Sequence, residues 1–443
     1  MTYPTPTYAT LDDWIAHEAI PFSLASRGSF NAAVDKLMAS PGNSVELLGL
    51  GEALHGGEDL LLLRNRLFQH LVEAHGYSAI AIESSFSRAH LVNEYVAGRG
   101  STSYEAVQDT GFSHGFGQLF ANRELVEWMR HYNADPTHHI KLQFYGFDSP
   151  TEMMGNDSPR QVLHFVLNYL ASIDEALSQH YRSRINQLLG PDAAWENPAA
   201  TMDPTQSIGL EPAATALRLE TEELIADLQV RRPELVTKSN ARRYLEALQY
   251  AGVARQLLNY HAALARDSSD RVARLLGMRD VLMADNLAYM VARERGQGNV
   301  LVFAHNSHLQ RGKTAMRLGS EVYTWWPTGS HLQERLGSRY AVIGSAIGES
   351  LANGIGLPEA GTLERRFTDL PGPVRFLPTH RGQGLPASAI ATLPIRSGSV
   401  KNPTYFALTS QSLIDFDWLV VLDTTTYSRG GPPLSEESTS ARE

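Results

Sequence analysis

The stretch from Val45 to Glu83, VELLGLGEALHGGEDLLLLRNRLFQHLVEAHGYSAIAIE, leaves the chain little choice of fold. A short apolar run, Glu46 to Gly51, ends in a tight polar turn. A helical pattern follows, and a second apolar run, Ser78 to Ile82, closes the unit. Strand, turn, helix and strand in that order point to an open α/β sheet. The first strand delivers Glu52 and, three residues on, His55; the second delivers Glu83. Ligands of such sheets sit in the crevice outside the carboxyl ends of the strands. Two carboxylates and an imidazole arriving there suit proton transfer better than packing.

The helix of this unit is expected to start near Glu58, after Gly56 and Gly57 allow a tight turn. Leu60, Leu67, Phe68 and Leu71 share one face at helical spacing, and Arg64 falls on the same face. An arginine there needs an anionic partner, because an unpaired buried charge is costly. Glu52 and Glu83 are the available candidates. The competing reading is an arginine whose stem packs while its head reaches water.

Residues 8 to 40 read as mainly helical, with Thr10 as an N-cap before LDDWIAHEA and His17 as a surface or core histidine. A third strand, Ile140 to Phe147, ends in Asp148, and Pro150 blocks direct continuation as helix. The strongest strand by composition, Asn299 to Ala304, is followed by His305 and His308. Val322 to Trp325, Arg339 to Ile347, Thr404 to Leu408 and Trp418 to Leu422 complete the strand candidates; Asp423 after the last reads as a turn acid. Between the third and fourth strands the pattern is helical: Arg160 to Leu177, Glu211 to Gln229, Pro233 to Leu264 and Asp270 to Arg295, with a Pro-rich connector from Gly190 to Pro212. The expected organisation is an α/β catalytic core, residues 1–157 and 297–443. Its central sheet is mostly parallel and flanked by helices, with an inserted helical lid subdomain over 158–296. The tail from Gly430 reads as loose.

Composition narrows the function classes. A net charge of −10 with no basic run argues against nucleic acid and anionic membranes as partners. The absence of cysteine excludes disulfides, thiolate nucleophiles and Cys-ligated zinc. No apolar stretch reaches the roughly 18 residues of a membrane span, and the first residues lack a leader pattern. A cytoplasmic location is therefore the expectation. GFSHG, Gly111 to Gly115, matches G-x-S-x-G, but polar, helix-like SYEAVQDT precedes it where a nucleophile elbow needs a strand. Ser113 is therefore rejected as a nucleophile, while His114 in the same Gly-rich loop stays as a secondary site residue. GLGEALHG lacks the third glycine of a dinucleotide loop and leads with an acid that repels pyrophosphate.

Collected by position, strand ends supply Glu52, His55, Glu83, Asp148, His305 and His308. A histidine with a carboxylate partner can act as a general base on water near neutral pH. The same residue types, at spacings Glu52-x-x-His55 and His305-x-x-His308, suit a zinc or manganese site equally well. Some of these side chains are expected only to cap helices or satisfy loop backbone, His308 and Asp148 before His55 or His305.

The segment opening with GEALHGG, its helical arginine, and the strand ending in Glu83 resemble the erythromycin esterase family. MRDVLMADN (Met278 to Asn286), VFAHNSHL (Val302 to Leu309) and FDWLVVLDTTT are similar to that family's later motifs, in the same order. The resemblance spans about residues 45 to 426. It implies hydrolysis of a macrolide lactone or related ester by an activated water, with no acyl-enzyme. It further implies His55 as general base, Glu52 and Glu83 as its acidic partners, Arg64 organising those carboxylates and His305 assisting at the carbonyl or leaving group. His114 and Arg279 are carried over as further site residues, and Asp148 and His308 stand with them as substrate-side residues. The expected partner is a small hydrophobic ester or lactone, and no cofactor is expected. Two rival readings stay open: a metal-dependent hydrolase or lyase using the same Glu/His cluster, and a biosynthetic or binding protein that does not hydrolyse its ligand.

Overall fold

The computed structural model describes residues 7–39, 45–149, 151–152, 155–385 and 391–434. Pro150 and the tail residues 435–443 lie outside the described residues.

Twelve strands occur among them: β1 (Ile20–Phe22), β2 (Leu47–Glu52), β3 (Tyr77–Ser85), β4 (Gln143–Asp148), β5 (Thr151–Glu152), β6 (Gly155–Asn156), β7 (Asn299–His305), β8 (Thr314–Leu318), β9 (Glu321–Trp325), β10 (Tyr340–Glu349), β11 (Val374–Pro378) and β12 (Trp418–Thr424). Eight form the central sheet in the order β1-β11-β12-β10-β2-β7-β3-β4. From β12 to β4 every neighbouring pair is parallel, and only the β11 pairings are antiparallel. The fold is thus α/β with a mostly parallel central sheet flanked by helices, as the Val45–Glu83 unit implies.

Strands β2 and β3 are buried along their whole length, which is why they read as continuous apolar runs instead of alternating ones. Successive residues feed opposite cores. Ile80, Ile82, Leu301 and Phe303 pack with the apolar face of the helix Glu58–Ala74. Ala79, Ala81, Val300 and Val302 pack with Val162, Leu257, Met283 and Leu287 from the helices that follow β6. Strand β7 inserts between β2 and β3, so the chain delivers its fourth long apolar run to the middle of the sheet. Close approach at its tip requires Gly51. A Cβ there would collide with Asn306, whose amide bonds Ser345 N at 3.1 Å and Ser345 O at 2.8 Å.

From Arg160 to Glu294 the described elements are all helical. The expected helix Arg160 to Leu177 is two, Arg160–Ala171 and Glu175–Leu189, because Asp174 accepts from Leu177 N and starts a second helix. Pro233 to Leu264 divides in the same way at Asn240, which caps Ala241–Leu264. Thr10 caps the helix Leu11–Glu18 as expected.

Two expectations in the later part of the chain need correction, the strand Thr404 to Leu408 and the turn acid Asp423. Thr404 to Leu408 is a loop. Its polar groups serve other segments, with Phe406 N bonding Ala53 O at 2.7 Å and Leu408 N bonding Glu364. Val322 to Trp325 is a strand as expected, and it pairs in a separate β8–β9 hairpin. β11 carries a buried charge, Arg375, that hides its strand pattern. Asp423 answers that charge at 2.7 Å from within β12, so it is not a turn acid.

Candidate active site

The carboxyl ends of β2, β7, β3 and β4 lie side by side and deliver Glu52, His305, Glu83 and Asp148. Glu52 and His305 are register partners across the β2–β7 ladder. Beyond Glu52 the chain turns through Ala53 and Leu54, both fully buried, so that His55 comes back over its own strand end. Its Nδ1 lies 2.6 Å from Glu52 Oε1. The turn is clamped from the loop after residue 400: His55 N donates to Thr404 Oγ1 at 3.0 Å, and Asn402 Nδ2 donates to His55 O at 3.0 Å. Glu52 is buried, whereas the His55 side chain is 32% exposed. A dyad is therefore held with one edge of its imidazole toward the cleft.

Burial disfavours the charged form of both members. Burial raises Glu52, only partly offset by His55. Burial lowers the His55 imidazole, but the Glu52 carboxylate, with Glu83 behind it, lifts it above its ordinary 6.5. The pair therefore titrates as a unit and holds its proton above the usual imidazole range.

Glu83 is differently equipped. Burial would raise it, yet His308, His55 and Arg279 hold it well below the usual carboxylate range. One oxygen lies 3.1 Å from Arg279 Nη2 and 3.4 Å from His308 Nε2; the other accepts from His305 N at 2.8 Å. Arg279, from the helix Arg271–Glu294, also forks onto Asp148, Nε to Oδ1 at 2.9 Å and Nη2 to Oδ2 at 2.6 Å. Asp148 is fully buried, and Arg279 and His114 outweigh that burial and keep it lowered. His114 Nε2 lies 2.9 Å from Asp148 Oδ2.

His308 is buried between two acids, with Nδ1 2.8 Å from Asp280 Oδ1. Burial lowers it, but Asp280 and Glu83 overcome this and raise it to about 10. It is a cation at neutral pH. His305 is the reverse. Its Nε2 faces the Thr404 carbonyl at 2.7 Å and so must donate, leaving Nδ1 to accept from Ser307 Oγ at 2.6 Å. Burial and the neighbouring His55 lower it to about 3. His305 is neutral, with both nitrogens occupied.

These placements redistribute the expected roles. His308 and Asp148 are charged members of the network, while the capping side chain is His305, which accepts from Ser307 N. Arg64 is buried, but among the described residues it makes no ion pair with Glu52 or Glu83. Its Nε and Nη2 donate to Asn65 Oδ1, and its guanidinium lies 4.9 Å above the Phe303 ring. Burial pulls it down to about 10, with Glu52 the largest opposing influence. Arg64, Glu52, Glu83 and Phe303 line one small pocket of about 20 Å³, room for a single water. The arginine that does fork onto carboxylates is Arg279. Asp280 was invisible as a site residue, since an acid on a helix beside an arginine reads as solvated surface. It is fully buried and takes Trp325 Nε1, Thr328 N and His308. Ser113 is buried and serves structure: its Oγ accepts from Ser85 N and its N–H donates to Ser84 Oγ, both at 2.9 Å. That anchor fixes the loop in which His114 adopts a positive φ of 58°. His55 and His114 then flank Phe116, ring centroids 5.8 and 5.4 Å away.

The erythromycin esterase family model matches residues 72–425. The chain belongs to the erythromycin esterase family. The match begins after Glu52, His55 and Arg64 and takes in Glu83, Asp148, Arg279, His305 and His308. Erythromycin esterase type II of Escherichia coli is 23% identical over 342 residues, 75% of this chain and 76% of that protein. The type I enzyme of the same organism is 24% identical over 317 residues, 69% and 71% of the two chains. Among solved structures, a Bacillus cereus protein superposes with a TM-score of 0.73 at 20% identity, over 95% of this chain and 98% of that one. A succinoglycan biosynthesis protein gives 0.70 at 19%, with the same coverage. A mutant of the erythromycin esterase EreC in its open conformation gives 0.63 at 20%, over 91% and 95%. At these identities the structural likeness establishes the fold. Family membership supports a hydrolase acting on a small molecule, and no described helix is long and apolar enough to cross a membrane.

Proposed function

We infer that this member of the erythromycin esterase family hydrolyses an ester or lactone of a macrolide or similar hydrophobic natural product, using water activated by His55. The observation that carries the reading is the Glu52–His55 dyad at the end of a parallel strand, buried on its acid side and open on its imidazole side. With Nδ1–H directed at Glu52, the Nε2 lone pair is free to take a proton from water. The imidazolium formed is stabilised by the carboxylate across 2.6 Å. Attack of that water on the carbonyl breaks the acyl–oxygen bond, and the proton held on His55 is returned to the leaving alkoxide. His114, 22% exposed and held by Asp148, faces the substrate beside Phe116. Arg279 and His308 keep Glu83 ionised, and Glu83 in turn fixes the His305 backbone. His305 acts by holding the Thr404 loop against the dyad.

In the metal-free reaction, both nitrogens of His305, Nδ1 of His55 and both oxygens of Glu83 keep these partners and hold the dyad in place. Mass spectrometry on a panel of macrolide lactones, with and without chelator, tests the reading. Ring-opened products heavier by one water, unaffected by chelator and absent in His55→Ala at unchanged circular dichroism, are expected. Full activity in His55→Ala refutes the role of His55, and activity lost to chelator replaces the mechanism with a metal-dependent one.

A further inference from the structure

At the opposite end of the sheet three side chains converge without any part in the cleft. Asp35 belongs to the helix Arg27–Ala39, His70 lies near the end of the helix Glu58–Ala74, and His75 directly follows that helix. Nε2 of His70 and Nε2 of His75 each lie 2.8 Å from the same atom, Asp35 Oδ1. The rings are 5.3 Å apart and cross at 77°. The three ligand atoms fall within 4.8 Å of one another, and among the described residues this is the one group of its kind. Strand β3 leads from Tyr77, beside the cluster, to Glu83 in the cleft. At about 3.3 Å per residue that is a separation of roughly 20 Å.

Hydrogen bonding alone accounts poorly for this arrangement. Two imidazoles aim their Nε2 atoms at one carboxylate oxygen, and the His70 ring is held there only 7% exposed. Two imidazole nitrogens and a carboxylate oxygen within 4.8 Å of one another are the donor set of a borderline transition metal. Metal–nitrogen and metal–oxygen bonds of about 2.0–2.1 Å at tetrahedral angles hold ligand atoms about 3.3 Å apart. Asp35 Oδ1 therefore needs to draw back from each nitrogen by about half an ångström, within reach of a side chain that is 55% exposed. A cation here also faces the carbonyl end of the helix Glu58–Ala74, where positive charge is favoured. Solvent has access through Asp35 to complete the coordination.

We propose that Asp35, His70 and His75 form a binding site for a divalent transition-metal ion of the zinc class, stapling the helix Arg27–Ala39 to the helix Glu58–Ala74. The ion is structural. It joins two helices packed on the same face of the sheet, the second of which opens at the catalytic turn and ends at the metal.

The test uses the full-length protein stripped by dialysis against chelator and titrated with Co²⁺ and then Zn²⁺. Metal content, the visible Co²⁺ spectrum and Tm are recorded for the wild type, His75→Gln, Asp35→Asn and His55→Ala. One ion per chain is expected, with a Tm that rises with free metal. Affinity should fall at least about tenfold in His75→Gln and Asp35→Asn, as loss of a ligand must cost at least what loss of an outer-shell partner does. His55→Ala should bind as the wild type does. Binding that survives both His75→Gln and Asp35→Asn, binding abolished by His55→Ala, or no stoichiometric ion in the wild type overturns the proposal. The macrolide assay is independent of it, since His75→Gln touches no residue of the cleft.

Discussion

Replacing Glu52 by glutamine keeps the shape of the catalytic turn and removes only a charge. In the wild type the carboxylate oxygen 2.6 Å from His55 Nδ1 fixes the tautomer and stabilises the imidazolium that forms as water is deprotonated. Two unit charges centred about 4 Å apart interact by about 4 kcal/mol at an effective dielectric of about 20. At about 1.4 kcal/mol per decade, losing that term slows kcat/KM by about three orders of magnitude. A glutamine amide turned toward Nδ1 would worsen this, because Nε2 would then carry the proton. The pH profile should change with the rate. Wild-type kcat/KM rises with pH as His55 deprotonates, through a value above 6.5 set by Glu52; in Glu52→Gln the same limb moves to lower pH. Folding stability should hold or increase, since a buried carboxylate whose ionisation is opposed by burial becomes a neutral amide. The assay is kcat/KM for lactone opening between pH 5 and 10, with urea unfolding as the control. A variant within about threefold of wild type, or one whose pH limb does not move, refutes the reasoning.

Arg279→Ala leaves Asp148 and Glu83 buried without the cation that forks between them. It should destabilise the protein by roughly 3–5 kcal/mol in urea unfolding, and Asp148→Asn added to it should restore part of the loss; unchanged stability contradicts the network. His308 has a folded value of about 10 against an ordinary 6.5. Its contribution is therefore complete below about 6.5 and is lost as pH rises through about 10. Wild-type stability should fall across that window, and the fall should be smaller in His308→Gln; equal slopes contradict the assignment. Gly51→Ala drives a methyl into Asn306 and should cost about 1–3 kcal/mol by overpacking, read as a lowered Tm.

The first βαβ unit was legible because its strands are buried on both faces and its helix on one, so burial and periodicity agree. Glu52, His55, Glu83, Asp148 and His305 were legible for a related reason. A polar residue directly after a buried strand has only the crevice to enter. Arg64 was recognised as exceptional, but its partner was not: on the helix it faces the sheet, where Asn65 and Phe303 receive it before either carboxylate does. Asp280 and Thr404 stayed hidden because their roles come from contacts at long range in the chain, Asp280 with Thr328 and Thr404 with His55. Local pattern carries no trace of such contacts, and Thr404 looked like a strand because its neighbours Tyr405 and Phe406 are aromatic. β11 was lost to Arg375, a buried charge satisfied by Asp423 and the Phe367 carbonyl.

The central claim is that water activated by His55 attacks the ester carbonyl directly. A single turnover with enzyme in excess over a macrolide lactone, run in heavy-oxygen water, tests it most directly. The account predicts that the carboxylic acid released in the first turnover carries one heavy oxygen, and that His55→Ala releases none. Light oxygen in the first-turnover acid would mean that a carboxylate of the protein attacks first, and it would contradict the account, as would intact lactone with the wild-type enzyme.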